Sequence, residues 1–199
     1  MTLLSVNLNK VALLRNSRDT VIPSVIDVAK TCIDCGARGI TVHPRPDQRH
    51  IRVTDCYDLA SSLAVEFNLE GNPFAAGMKS DRDGIATYPG FMALVEATRP
   101  AQVTLVPDAN AQLTSDHGFD LSQDAERLVP IIASLKAMGC RVSLFMDPEP
   151  KSMSAAAEIG ADRVELYTES YAVAHAAGDF ERVLCQFSEA AVAAHDVGL

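Results

Sequence analysis

The chain has 199 residues, a mass of 21.3 kDa and a formal net charge of −9. Apolar residues make up 48% and charged residues 22%, a globular composition that argues against a disordered chain. The acidic balance disfavours nucleic acid as a partner, and no apolar run approaches the roughly 20 residues of a membrane-spanning helix.

The charge is distributed unevenly along the chain. Residues 1–52 hold eight Lys and Arg against four Asp and Glu, whereas the remainder is strongly acidic. A basic segment in an acidic protein indicates a local binding site for a small anion, because the net charge of the whole molecule would repel an anion. Five cysteines are an odd number in a chain large enough to build a core, which does not suggest a disulfide framework. We therefore expect a soluble protein of the reducing cytoplasm.

Short apolar runs alternate six times with longer segments of helical periodicity. The predicted strands cover residues 3–6, 40–42, 67–69, 103–106, 142–145 and 164–167. The predicted helices cover residues 21–35, 55–65, 91–98, 125–138, 151–159 and 180–197. This alternation predicts a parallel α/β fold, and continuous apolar strands are typical of a sheet that is covered on both faces.

Glycines follow several of the predicted helices, where a left-handed C-cap needs them. Gly198 repeats this signal, but no strand follows it. We expect one TIM (β/α)8 barrel domain over residues 1–199, C-terminally incomplete, with about six βα units before the chain ends. An open doubly wound sheet is the alternative, although no G-x-G-x-x-G follows the first strand. Residues 71–90 are predicted to form a long loop.

Polar and ionisable residues follow the predicted strands, where ligands bind in either architecture. They are Asn7, Asn9 and Lys10 after the first strand, His43, Arg45, Arg49 and His50 after the second, and Glu70 after the third. Guanidinium groups offer paired donors for phosphate oxygens, and imidazoles transfer protons near neutrality. Glu70 is a candidate general base, with an ion-pair partner for the arginines as the alternative. Glu165 alternates with apolar neighbours in the sixth strand, which predicts a carboxylate that faces the barrel interior.

Several motifs resemble the pyridoxine 5′-phosphate synthase family. They are V-N-L-N-K-V-A-L-L-R-N-S-R at 6–18, G-I-T-V-H-P-R-P-D-Q-R-H-I at 39–51, F-N-L-E at 67–70, L-V-P-D at 105–108, V-S-L-F-M-D at 142–147 and V-E-L-Y-T at 164–168. The resemblance implies a cytoplasmic transferase of vitamin B6 biosynthesis that forms a homo-octamer. The family condenses 1-deoxy-D-xylulose 5-phosphate, a phosphosugar, with 3-amino-2-oxopropyl phosphate, and releases pyridoxine 5′-phosphate, phosphate and water.

The resemblance also implies roles for individual residues. Asn7 and Arg18 match positions that hold the aminoketone phosphate. Arg45, His50 and Thr114 match positions that hold the pentulose phosphate. His43 and Glu70 match proton-transfer residues, and Glu165 matches a carboxylate that stabilises charge. Every step of the ring closure moves protons, so general acid–base groups are expected to suffice, with no cofactor and no metal.

The chain departs from the family pattern in three places. Asn9-Lys10 stands where many members have Asp-His, although Lys10 can hold a phosphate as a point charge. The segment of residues 71–90 is longer than the corresponding segment in compact members of the family. The chain also ends before the family's remaining catalytic His and part of its phosphate site, so we expect poor activity from the chain alone.

Two rival functions remain open on the sequence. Another phosphosugar-handling TIM-barrel enzyme, an aldolase or isomerase, would convert one phosphosugar without any amine. A catalytically inactive phosphate-ligand-binding chain would be stabilised by ligand without forming product.

Overall fold

The computed structural model of the protein describes residues 2–18, 20–109, 112 and 114–199. The strands are β1 (Ser5–Asn7), β2 (Gly39–Val42), β3 (Glu66–Gly71), β4 (Ala76–Met78), β5 (Tyr88–Gly90), β6 (Gln102–Leu105), β7 (Arg141–Met146) and β8 (Arg163–Leu166). The helices are α1 (Asn9–Asn16), α2 (Val25–Asp34), α3 (Val53–Ser62), α4 (Phe91–Thr98), α5 (Leu121–Ala137), α6 (Met153–Glu158), α7 (Glu169–Ala176) and α8 (Glu181–Asp196). A short 3₁₀ turn, Pro150–Ser152, precedes α6.

The six predicted strands are confirmed, and they belong to one sheet in the order β1-β2-β3-β6-β7-β8. The pairs β1–β2, β2–β3 and β7–β8 are parallel. Spatial order follows chain order without the reversal that defines a doubly wound sheet. The fold is therefore α/β with six successive strands ordered as in a (β/α)8 barrel, and the doubly wound alternative is wrong.

The chain divides into two compact units, the first of which is Met1–Val103. Its central strands β2 and β3 are buried, and Ile40, Val42 and Leu69 have no exposed surface, whereas Ser5 and Asn7 of β1 are exposed. Leu59 of α3 and Leu94 of α4 are also fully buried, as the apolar face of a barrel helix should be. The register pairs Val42, the last residue of β2, with Leu69, and β3 continues to Gly71.

The second unit, Thr104–Leu199, also has a core of buried apolar side chains. Val142 and Leu144 of β7 are fully buried, as are Leu128 and Leu135 on one face of α5. Asp120 begins α5 as its N-cap, with the carboxylate accepting a hydrogen bond from the Ser122 amide. The predicted helix therefore exists but starts four residues earlier than its apolar periodicity indicates.

Four elements, the helices α1 and α7 and the strands β4 and β5, have no counterpart among the predicted ones. Helix α1 begins two residues after β1, which leaves almost no turn signal between them. Helix α7 has no buried residue and so lacks the apolar stripe that reveals a helix in a sequence. Within residues 71–90, β4 and β5 form an antiparallel pair, so the stretch expected to be a loop contains a small two-stranded ribbon. Its strands have three residues each, too few for a periodic pattern.

Candidate active site

The first unit brings the ends of β1 and β3 together. The Asn7 side chain donates a hydrogen bond from Nδ2 to Oε2 of Glu70 at 3.3 Å. The two residues are 63 positions apart in the chain, and their contact follows from the parallel β1-β2-β3 arrangement. Glu70 is buried, whereas Asn7 is exposed. The contact orients one carboxylate oxygen of a predicted proton-transfer residue.

Helix α1 begins at Asn9, which connects the ends of β1 and β2. Its Oδ1 accepts a hydrogen bond from the backbone amide of His43 at 2.8 Å. Its own amide donates to Oδ1 of Asn7 at 2.9 Å. Asn9 therefore holds the backbone next to two predicted site residues. Lys10 is exposed, and its charge is one of the causes that lower the pKa of His50.

Residues 43–50, here called the cationic loop, follow β2 and carry two histidines and two arginines. The side chains at its start are enclosed: His43 is 7% exposed and Arg45 is 5% exposed. Arg49 is less buried and forms an ion pair with Asp47, with Nε 2.7 Å from Oδ2. Two guanidinium groups close to two imidazoles give this loop a positive potential.

Both histidines of the cationic loop resist protonation. Burial lowers the pKa of His43 to about 3, and the charges of Arg45, His50 and Arg49 act in the same direction. Burial also lowers the pKa of His50 to about 4, with Arg45 as the next cause. The opposing influence on His50 is the carboxylate of Asp47. Both rings are therefore neutral at pH 7.

The tautomer of His50 follows from its backbone contact. The amide of Ile51 donates to Nδ1 of the His50 ring at 2.9 Å, so Nδ1 is an acceptor. In the neutral ring the hydrogen then resides on Nε2, which makes this atom a donor. A neutral N–H beside arginine side chains suits the oxygens of a phosphate group.

The residues that hold the backbone of this loop in place were not predicted from the sequence. Arg15 and Asn16, in the last turn of α1, donate to backbone carbonyls of the loop. Gln48 is fully buried at a φ of 52°, and its side chain connects the amide of Val53 to the carbonyl of Ala86. Arg15 and Asp55 are 40 residues apart, so no local sequence pattern could have identified them as a pair.

The remaining predicted residues are Arg18 in the first unit and Thr114 and Glu165 in the second. Arg18 follows α1 and is exposed. In the second unit, Thr114 is exposed. Glu165 is half-buried on β8, where burial raises the pKa of its carboxyl against the opposing hydrogen bond of the Thr104 side chain. A cleft of about 660 Å³ lies beyond β7 and includes Asp147 in its lining.

Neither a metal-binding cluster nor a membrane-spanning helix is found among the described residues. Among the described residues, no group of three or more His, Cys, Asp or Glu side chains is arranged to hold a metal ion. No helix in the described part of the chain is long and apolar enough to cross a membrane.

Comparison with known proteins places the chain among one group of relatives. The family described as "Pyridoxal phosphate biosynthesis protein PdxJ" matches residues 4–199. A pyridoxine 5′-phosphate synthase of Xanthomonas campestris pv. campestris (strain B100) is 54% identical, and the match covers 100% of this chain and 76% of the relative. The enzyme of the same name from Xylella fastidiosa (strain 9a5c) is 52% identical, with 100% and 75% covered.

A solved structure supports the fold independently of sequence. The crystal structure of a mandelate oxidase with benzoyl-formic acid aligns with a TM-score of 0.57 over 87% of this chain and 55% of the oxidase. The two sequences are 13% identical, so the likeness concerns the fold alone.

Proposed function

The chain belongs to the family of the pyridoxal phosphate biosynthesis protein PdxJ, and from this premise we propose that it is a pyridoxine 5′-phosphate synthase. It would join 1-deoxy-D-xylulose 5-phosphate to 3-amino-2-oxopropyl phosphate and close the pyridine ring. One observation carries the proposal beyond sequence similarity. His43 and Glu70 stand at or just beyond the ends of the adjacent strands β2 and β3, beside a loop with buried arginine.

The cationic loop supplies the proposed anion site. Arg45 would hold the pentulose phosphate through paired N–H donors, and the neutral His50 ring would add one more from Nε2. Neutral histidine suits this role because it donates without adding a third full charge to a buried cluster. Asn7 and Arg18 would hold the aminoketone phosphate, and Thr114 would contact the pentulose phosphate.

His43 and Glu70 are the proposed proton-transfer residues. Because His43 is neutral at pH 7, it can accept a proton from an intermediate when the reaction develops positive charge. Substrate phosphates would offset the charge of Arg45 and Arg49 and so raise the pKa of His43 toward a useful range. Glu70 would exchange protons at its carboxylate, with Asn7 keeping one oxygen in place.

Glu165 is proposed to stabilise positive charge in the intermediates. The raised pKa of its carboxyl means that burial disfavours the charged form until a cationic partner is present. An iminium carbon or nitrogen formed during condensation is such a partner. Lys10 is proposed to add a phosphate contact in place of the His that many relatives carry.

We also propose a homo-octamer in the cytoplasm. All five cysteines are free, as in a reducing compartment. Large apolar side chains are exposed near the N-terminus, including Val21 at 78% and Ile22 at 76%. Exposed apolar side chains grouped in this way are typical of a contact between copies of a chain. Light scattering coupled to size-exclusion chromatography would measure the assembly directly.

Turnover of the two substrates, offered singly and together, tests the proposed function. We expect pyridoxine 5′-phosphate and inorganic phosphate only when both are present. Consumption of the phosphosugar without the amine would instead identify an aldolase or isomerase. Stabilisation by phosphosugar without any product would indicate a binding protein that has no catalytic activity.

A further inference from the structure

The last turn of α1 is fastened to the backbone of the cationic loop. We infer that Asn16 and Arg15 are positioning residues that hold this loop, and through it Arg45 and His50, in the conformation that binds the phosphosugar. Neither residue is required to touch substrate for this role. The inference concerns the geometry of the loop, and its catalytic consequence rests on the proposed function.

Asn16 makes the more direct contacts. Its Nδ2 lies 2.7 Å from the carbonyl oxygen of His50, 3.1 Å from that of Arg49 and 3.4 Å from that of Gln48. Three successive carbonyls therefore converge on one amide group. Such convergence fixes the turn at the end of the loop, because each peptide plane must face the same donor.

Arg15 completes the attachment from inside the protein. Its guanidinium forms a two-pronged ion pair with Asp55, at 2.5 Å and 2.9 Å, and the same nitrogen that makes the longer contact donates to the His50 carbonyl at 3.1 Å. Arg15 Nε donates to Oδ1 of Asn16 at 3.0 Å. The carboxamide of Asn16 is thereby oriented with its NH₂ toward the loop.

Asp55 extends the network to the helix that follows the loop. Its Oδ2 accepts a hydrogen bond from the backbone amide of Arg52, the N-cap of α3, at 2.7 Å. The loop is consequently fixed at its end by α1 and by the start of α3. Because the Ile51 amide holds Nδ1 of His50, the ring direction depends on the same backbone.

The hydrogen bonds that Asn16 donates require an amide side chain at this position. Replacing Asn16 with Asp keeps the shape but removes both N–H donors and turns a negative oxygen toward three carbonyl oxygens. The substitution should therefore loosen the loop while the ion pair of Arg15 and Asp55 maintains the fold. Ser17 offers a matched control at the same helix end, because its exposed hydroxyl donates to the Leu14 carbonyl of α1.

The test compares Asn16→Asp, Asn16→Ala and Ser17→Ala with the unaltered chain in two measurements. Hydrogen–deuterium exchange follows the peptide spanning residues 44–52, with β2 as the internal reference. Steady-state kinetics follows the KM for each substrate. We expect faster exchange in 44–52 and a roughly tenfold higher KM for the phosphosugar in both Asn16 variants, as for loss of one or two hydrogen bonds. The KM for the aminoketone phosphate and the values for Ser17→Ala should be close to those of the unaltered chain.

The two measurements separate the inference from the proposed function. Unchanged exchange in residues 44–52 of folded Asn16 variants would overturn the positioning role, whatever their kinetics. If the unaltered chain makes no pyridoxine 5′-phosphate, the proposed function is rejected. Faster exchange in folded Asn16 variants would still support the positioning role in that case. Equal increases in both KM values would also reject the inference, since they would show a general disturbance.

Discussion

The imidazole rings of His43 and His50 lie edge to face, with 6.3 Å between their centroids and 64° between their planes. Each ring, once protonated, would repel the other, and each is also close to the charge of Arg45. Burial is the main cause that lowers the pKa of both rings, so both are neutral at physiological pH despite an unperturbed pKa near 6.5. The pair can offer one proton acceptor and one N–H donor to an anionic ligand.

Acid should destabilise the protein through His43. Its pKa of about 3 in the folded state lies below the unfolded value of 6.5, so the unfolded chain binds more protons between these values. Stability is then greatest above pH 6.5 and falls as the pH is lowered toward 3. At pH 5 the loss from this group is about 2 kcal/mol. Urea unfolding at pH 7.5 and pH 5 measures it.

The variant His43→Gln isolates that contribution. It should flatten the pH dependence, whereas His195→Gln, on an exposed side chain of α8, should leave the dependence as in the unaltered chain. If the free energy of unfolding depended on pH equally in the two variants, the assignment to His43 would be contradicted.

Inorganic phosphate should raise the pKa of His50. A bound anion favours the protonated ring by offsetting Arg45 and Arg49, which lower the pKa in the free protein. Titration of the histidine ring protons by NMR, with phosphate and with chloride at equal ionic strength, measures the change. Binding of phosphate without an upward shift of the pKa would place the anion away from the cationic loop.

The substitution Glu70→Gln should reduce kcat by roughly 10²- to 10⁴-fold, the contribution of a general acid–base group. Glutamine retains an oxygen that can accept from Asn7, so the fold should survive. Glu66→Gln, at the opposite end of β3, is the matched control and should retain normal kcat. A Glu70→Gln enzyme with undiminished turnover would remove Glu70 from the mechanism.

The buried pair of Arg15 and Asp55 should be far more costly to break than a surface pair. Asp55→Asn leaves a buried guanidinium without its carboxylate and should cost about 3–5 kcal/mol of unfolding free energy. Asp124→Asn removes the half-buried partner of the exposed Arg127 on α5 and should cost about 1 kcal/mol or less. Thermal or urea unfolding compares the two, and equal losses would mean that Arg15 is not dependent on Asp55.

The sheet was predictable because its strands are continuous apolar runs between helical segments. Each predicted strand overlaps an observed one, from β1 at Ser5–Asn7 to β8 at Arg163–Leu166. The ribbon of β4 and β5 was not predictable, since Tyr88-Pro89-Gly90 has the composition of a turn. Helix α7 escaped for a related reason, because an exposed helix has no apolar face to detect.

The sequence by itself determined which chemical groups stand at the strand ends. Strand periodicity and the order of residues place Asn7, His43 and Glu70 there, whatever the details of packing. Only the tertiary structure decided which of these groups meet and in which protonation state. The contact of Asn7 with Glu70 spans 63 residues, and that of Arg15 with Asp55 spans 40. A pKa depends on burial and on the distances to other charges, and both quantities exist only once the chain has folded.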